Sequence, residues 1–270
     1  GVQYFRQCGA GVTGEMGNGF AALSGMQVML LGVVWFGTLY LTGALFTTWL
    51  TRHLFPTLRI GRQLDPRALP AGQLRRELHW SAVSILIFGC GLVVPWGLLQ
   101  LGWAEFAIAP SWRRILAEIV LLFVWNELHF YTCHRLLHTP WLRRFHATHH
   151  RSHIATPFST YAFHPVEALM LGSVPLLPML AHDFSFIALA SLPVMSLALN
   201  SLGHSNYEFS RVEPARGWLD ASRRHHLHHA CYHGNYGFLL SVFDRLLGTA
   251  LPVDAADARI APRLRPGPSR

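Results

Sequence analysis

The sequence predicts an all-α integral membrane protein with about four transmembrane helices and a metal site built from histidines. Three observations carry this. Hydrophobic residues make up 51% of the 270 positions and charged residues only 13%, several uncharged runs are long enough to cross a bilayer, and histidine is concentrated next to the third of them.

Taken in chain order, the first residues show neither a secretory leader pattern nor a myristoylation signal. The run 22–50 is nearly free of charge and exceeds the roughly 20 helical residues that cross about 30 Å of hydrocarbon. A second span is expected over about 81–103. A third covers 115–133 and carries Glu118, Glu127 and His129; ionisable groups near one end of a span aim that end at a polar site. The fourth apolar region, 166–202, is interrupted by His182 and Asp183. It is too short for two relaxed crossings and too long for one, which predicts a tight helical hairpin. The tail "RIAPRLRPGPSR" is rich in proline and arginine and is expected to be disordered or surface-bound. The domain division expected is 1–112 as an N-terminal membrane region, 113–250 as the site-bearing domain and 251–270 as the tail.

Charge sets the orientation. All 22 basic residues are arginine, and against 14 acidic residues they leave a formal charge of +8. They flank apolar runs and follow no recognition motif, which favours anionic lipid over nucleic acid. The loop 51–78 carries Arg52, Arg59, Arg62, Arg67, Arg75 and Arg76, whereas 104–112 carries none. The positive-inside rule then places loop 51–78, segment 134–165 and the C-terminal part in the cytoplasm. With Pro56, Pro66 and Pro70, the loop is expected to lie on the head groups. Cys8, Cys90, Cys133 and Cys231 form no CxxC pair and read as apolar fillers without disulfides.

Three segments share one pattern: "HRLLH" (His134, His138), "HATHH" (His146, His149, His150) and "HHLHH" (His225, His226, His228, His229). Residues three and four apart share a helix face, so each segment aims two or three imidazoles one way. Eight fit an HxxxH, HxxHH, HxxHH series, namely His134, His138, His146, His149, His150, His225, His228 and His229. One ion takes about four to six donors, so the set predicts two ions. The competing reading is a solvated histidine surface, but clustered imidazolium groups repel one another, whereas neutral rings around a metal do not. Imidazole alone does not name the metal, since zinc, iron, copper and nickel all accept it.

From about Ile115 to Gly248, "HRLLHTPWLRRFHATHHRS", "TYAFHPVEA", "GHSNYE" and "HHLHHACYHGNYG" resemble the fatty acid hydroxylase and sterol desaturase superfamily of membrane non-haem di-iron oxygenases. The resemblance implies four membrane helices carrying a cytoplasmic helical cap, with the eight-histidine motif on the residues just named. It adds His204 as a ninth ligand, with Asn200 where some members place another histidine, and His164 as a further candidate. His153, His226 and His233 are expected to be supporting residues, His129 a pocket wall or ligand, and His53, His79 and His182 uninvolved.

The cofactors implied are two iron ions, with zinc as a substitute in purified material. No catalytic residue separate from the ligands is expected. Glu127, Glu167, Glu208, Asp220 and Asp244 are candidates to hold the far ring nitrogens. Trp125, Phe130, Phe158, Tyr161 and Phe163 are candidate pocket lining, and Arg143, Arg144, Arg151, Arg223 and Arg224 are candidates to dock an acidic electron donor. The activity implied is hydroxylation of a membrane lipid with dioxygen and two electrons from a separate ferredoxin, cytochrome or reductase. Desaturation or sterol methyl oxidation at the same site is the nearer alternative, and a metal transporter the more distant one. The arginine-only basic composition and the lack of a fused haem domain point to a bacterial inner membrane.

Overall fold

The computed structural model describes residues 14–209 and 218–252; Cys8 and most of the proline-rich tail lie outside them. Four helices are long and apolar enough to cross a membrane, spanning Gly25–Thr57, Gln73–Gln100, Trp112–Leu137 and Phe186–Gly203. The first contains α1 (Gly25–Trp49), started by a capping box in which the Ser24 Oγ accepts from Gln27 N and the Gln27 side chain accepts from Ser24 N. It continues through a π-helical turn, Leu50–Leu54. The second span is α2 (Gln73–Gly91) followed by α3 (Val93–Gln100), and the third is α4 (Trp112–Leu137). After α5 (Arg143–His150) comes the expected hairpin. Its first arm is the short pair α6 (Pro165–Gly172) and α7 (Leu176–Ala181), and its second is α8 (Phe186–Gly203). Two further helices, α9 (Ala221–Cys231) and α10 (Val242–Leu246), complete the histidine-bearing end.

The hairpin tip is fastened to the start of α4. Buried Glu118 accepts from Ser185 N at 2.8 Å and from Arg114 Nε at 2.7 Å, while Arg114 also donates to Asp183 O at 2.6 Å. Near the middle of the bundle, α1 and α2 touch backbone to backbone. A Cβ on Gly32 would stand 2.4 Å from Gly89 O, and one on Gly89 would stand 2.5 Å from Val33 N. Only small residues permit that approach.

The second span starts about eight residues earlier than its hydropathy suggests, at Gln73 instead of Ser81. The reason is a buried polar stripe. Gln73, Glu77, Ser81 and Ser84 share one face of α2 and meet the irregular segment 154–163. Gln73 Nε2 donates to Ile154 O (2.7 Å), Thr156 Oγ1 to Glu77 Oε2 (2.6 Å), Ser81 Oγ to Phe158 O (3.1 Å) and Ser84 Oγ to Phe163 O (3.5 Å). The segment is a short 3-10 helix, Pro157–Tyr161, with irregular flanks, and its buried carbonyls need such partners. Tyr40 of α1 adds a bond to Phe158 O at 2.8 Å.

The arginine-rich loop is tied to the rest of the protein. Its β1 (Arg62–Gln63) pairs antiparallel with β2 (Tyr207–Glu208). Asp65 N donates to Asn206 Oδ1, Asn206 Nδ2 donates back to Asp65 O, both at 2.9 Å, and Tyr207 OH donates to Ile60 O at 2.6 Å. Gly61 sits at φ 65°, where a Cβ would lie 2.0 Å from Glu208 O, so only glycine serves. The loop, segment 134–163 and the described residues after Gly203 therefore gather at one end of the bundle.

Candidate metal centre

Four elements deliver imidazoles to that end. The last turn of α4 and its C-cap provide His134 and His138, α5 provides His146, His149 and His150, the C-cap of α8 provides His204, and α9 provides His225, His228 and His229. These nine sort into two groups, His134, His138, His146, His150 and His228 in one and His149, His204, His225 and His229 in the other, with candidate donor atoms in each within 4.8 Å of one another. The pattern is reciprocal. In α5 the i, i+4 pair His146 and His150 enters the first group and His149 the second, whereas in α9 the i, i+4 pair His225 and His229 enters the second group and His228 the first. Each HxxHH segment thus serves both groups, because neighbouring residues on a helix point about 100° apart.

The chemistry of the donors fits a cation in each group. His134 Nδ1 lies 2.9 Å from Tyr236 O and His228 Nδ1 2.7 Å from Gly234 O. A carbonyl only accepts, so both Nδ1 atoms carry the hydrogen and, in neutral rings, both Nε2 atoms present lone pairs. Those Nε2 atoms stand 3.0 Å apart. His138 and His150 also bring Nε2 to 3.1 Å from that of His228, and His150 Nε2 is 3.0 Å from His146 Nε2. In the second group His204 Nε2 is 3.0 Å from the Nε2 atoms of His149 and His225, and His229 Nε2 is 3.1 Å from His225 Nε2. Such gaps match neighbouring donors at right angles around an ion with metal–nitrogen bonds of about 2.1 Å. Protonation does not relieve the crowding, because burial holds His146, His149, His150, His225, His228 and His229 well below the ordinary imidazole range, with neighbouring imidazoles adding to the effect. Burial also lowers His138 and His204 to about 4.

Glu167, at the start of α6, lies 2.7 Å from His146 Nδ1 and is buried. It is the one acid of the five that bonds directly to a grouped histidine among the described contacts. Glu127 and Asp244 act a step further out. Glu127 accepts from Leu239 N and Leu240 N, and Asp244 from Tyr236 N and Gly237 N, so they hold the turn whose carbonyls meet His134 and His228. Glu208 pairs instead with Arg62 and Arg223, and Asp220 is buried at the start of α9. The turn itself was not anticipated. Its signal is the "YHGNYG" run, in which Tyr232, Gly234 and Asn235 all have positive φ and fold the chain back over α9.

His164 joins neither group, and Asn200 borders the same small space as His134, His146, His149, His204 and His225. Asn200 donates to Thr160 O at 2.7 Å, and its carbonyl meets His204 Nδ1 at 2.9 Å. His164 caps α6 by accepting from Val166 N and packs against Phe145. His129 lies 3.2 Å from Ser173 Oγ, His233 meets Cys231 O, His153 is exposed, and His226 is buried outside both groups. A small cavity with room for one water-sized molecule touches both groups through His134, His146, His149, His204 and His225 and is floored by Phe130, Leu137, Phe163 and Leu171. Of the other aromatics named from the sequence, Tyr161 stacks on Tyr40, Phe158 packs in the core, and Trp125 Nε1 donates to Val174 O. Arg223 and Arg224 do not offer a docking surface: Arg223 is buried against Glu208, and Arg224 donates to Leu239 O.

Comparison with known proteins agrees with this geometry. The fatty acid hydroxylase family model matches residues 119–249. A very-long-chain aldehyde decarbonylase of Oryza sativa subsp. indica is 27% identical over 74% of this chain and 33% of its own. A Delta(7)-sterol 5(6)-desaturase of Candida glabrata is 28% identical over 62% and 47% of the two chains, and a methylsterol monooxygenase of Arabidopsis thaliana 32% over 52% and 54%. The chain thus spans between a third and about half the length of these curated relatives. No solved structure gives a significant match. Residues 119–249 thus form a fatty acid hydroxylase domain, of the superfamily that includes membrane sterol desaturases and methylsterol monooxygenases and is known to use iron.

Proposed function

We propose that the protein is a di-iron lipid hydroxylase. One iron is held by His134, His138, His146, His150 and His228, and the second by His149, His204, His225 and His229. The observation that carries this is the pair of converging lone-pair clusters. Iron bound there supplies the activation of dioxygen. The overall stoichiometry is R–H + O2 + 2 e− + 2 H+ → R–OH + H2O, with the electrons drawn from a separate protein.

The chain's own residues provide the rest. Phe130, Leu137, Phe163 and Leu171 line the apolar part of the space beside both groups and keep it small, which limits the water it admits. Phe130 lies one helical turn deeper than His134 on α4, and Leu171 lies on α6, so the gap between these two helices is the proposed entry for a chain dissolved in the bilayer. The Glu167 carboxylate and the Tyr236, Gly234 and Asn200 carbonyls hold four rings with Nε2 facing inward. The arginine-rich loop lies at the histidine end, which supports a cytoplasmic site, and the arginine-only basic composition supports a bacterial inner membrane.

The test is lipid analysis of cells expressing the unchanged protein and a His149→Ala variant. A lipid heavier by one oxygen atom is expected with the former and lost with the latter. A product lighter by two hydrogens would instead establish desaturation, the reaction named in one of the relatives above. Metal uptake into vesicles with no dioxygen consumed would establish a transporter.

A further inference from the structure

The first histidine group comes close to solvent beside His138, which is itself only half-buried. Tyr232, in the left-handed region at the C-cap of α9, is 38% exposed, and its ring packs on His150 at 4.4 Å and on His138 at 5.1 Å between centroids. From solvent to the edge of that group is one aromatic side chain. The Tyr232 hydroxyl donates to Arg143 O at 3.5 Å, which brings the start of α5 alongside.

That neighbourhood is unusual in two ways. Trp141, in the turn between His138 and His146, is 83% exposed, more than any other aromatic side chain among the described residues. Arg143 and Arg144 are exposed, occupy the first two positions of α5, and form no ion pair among the described residues. Positive charge at a helix N-terminus opposes the helix dipole and costs stability. Two arginines without acidic partners at that position suit an acidic partner from outside.

We infer that Trp141, Arg143, Arg144 and the exposed edge of Tyr232 form the docking surface for an acidic one-electron carrier protein. This rests on the oxygenase reading, which needs two external electrons. The carrier is oxidised by one electron at each encounter, and two encounters meet the stoichiometry above. Redox encounters are small and transient, so a patch of this size is sufficient, and charge complementarity supplies the approach. A lipid surface would also attract arginine and tryptophan, but it gains nothing from a ring that reaches two histidines of the centre.

The experiment uses the iron-loaded protein in nanodiscs, a plant-type ferredoxin as the acidic carrier, and dithionite with methyl viologen as a small reductant. Arg143→Glu with Arg144→Glu is expected to raise the ferredoxin Kd roughly tenfold or more and remove most of its salt dependence, whereas Trp141→Ala raises the Kd and leaves the salt dependence in place. Ferredoxin-driven turnover falls in parallel while viologen-driven turnover is unchanged. Unaltered ferredoxin binding in both variants overturns the inference, as does a loss confined to binding of anionic vesicles. Absence of viologen-driven turnover in the unchanged protein refutes the oxygenase reading instead, and ferredoxin binding still decides the docking surface.

Discussion

His134 and His228, far apart in sequence, bring their Nε2 atoms within 3.0 Å while both Nδ1 atoms donate to backbone carbonyls. Neither ring has a hydrogen to give the other. The contact is unfavourable without a cation and favourable with one, which makes it the most direct expression of metal chemistry in the fold.

Metal content should therefore divide by group. His228→Ala is expected to lower bound iron by about one equivalent of the proposed two, and His225→Ala to do the same through the other group. The second group has four histidines where the first has five, so titration of the metal-free protein should show two steps, the weaker one lost in His225→Ala. Plasma mass spectrometry of purified variants and calorimetric titration check both. A single uniform step would contradict the division.

Glu167→Gln keeps the shape but replaces the carboxyl that meets His146 Nδ1 at 2.7 Å. Loss of such an outer partner generally costs about 10–100-fold in metal affinity. Competition with a chelator measures it, and Arg114→Gln, which removes an ion pair at the opposite end of α4 from His134, should leave affinity unchanged.

Acid should destabilise the metal-free protein. His138 and His204 sit at about 4 in the fold against an ordinary imidazole value of about 6.5. Between these values the unfolded chain binds protons that the folded chain does not, so stability is complete above about pH 6.5 and is lost as pH falls toward 4. Denaturation of chelator-treated protein between pH 7.5 and 5 should show the midpoint falling steadily; a flat profile would exclude this burial effect.

At the α1–α2 crossing, Gly89→Ala places a Cβ 2.5 Å from Val33 N. Overpacking of this kind costs about 1–3 kcal/mol, and a lower Tm in detergent is expected. Gly91→Ala, with open space at its Cβ, is the control.

Much of this was legible in the chain because it is local. Hydropathy gave the four spans, the interruption at His182 and Asp183 gave the hairpin, and i, i+3, i+4 spacing gave the imidazole faces. What remained hidden depends on distant pairing. Nothing in "HATHH" says that His149 leaves its neighbours for a group completed by α8 and α9. The early start of α2 was masked because Gln73 and Glu77 read as loop residues until Ile154 and Thr156 are seen to bond them. The two-residue pairing of Arg62 and Gln63 with Glu208 and Tyr207 carries no periodic signal, and Arg223 reads as surface charge until Glu208 is placed beside it.

The polar stripe on α2 measures out roughly 16 Å of helix between Gln73 and Ser84, and it engages the carbonyls of Ile154, Phe158 and Phe163 in turn. The distance of Phe163 from the start of α2 is accordingly dictated by a rigid scale within the protein. On the oxygenase reading, the carbon attacked is counted off from the head group, and acyl chains of different length should be modified at the same distance from it. Regiochemistry that tracked the methyl end instead would show that the scale does not govern placement.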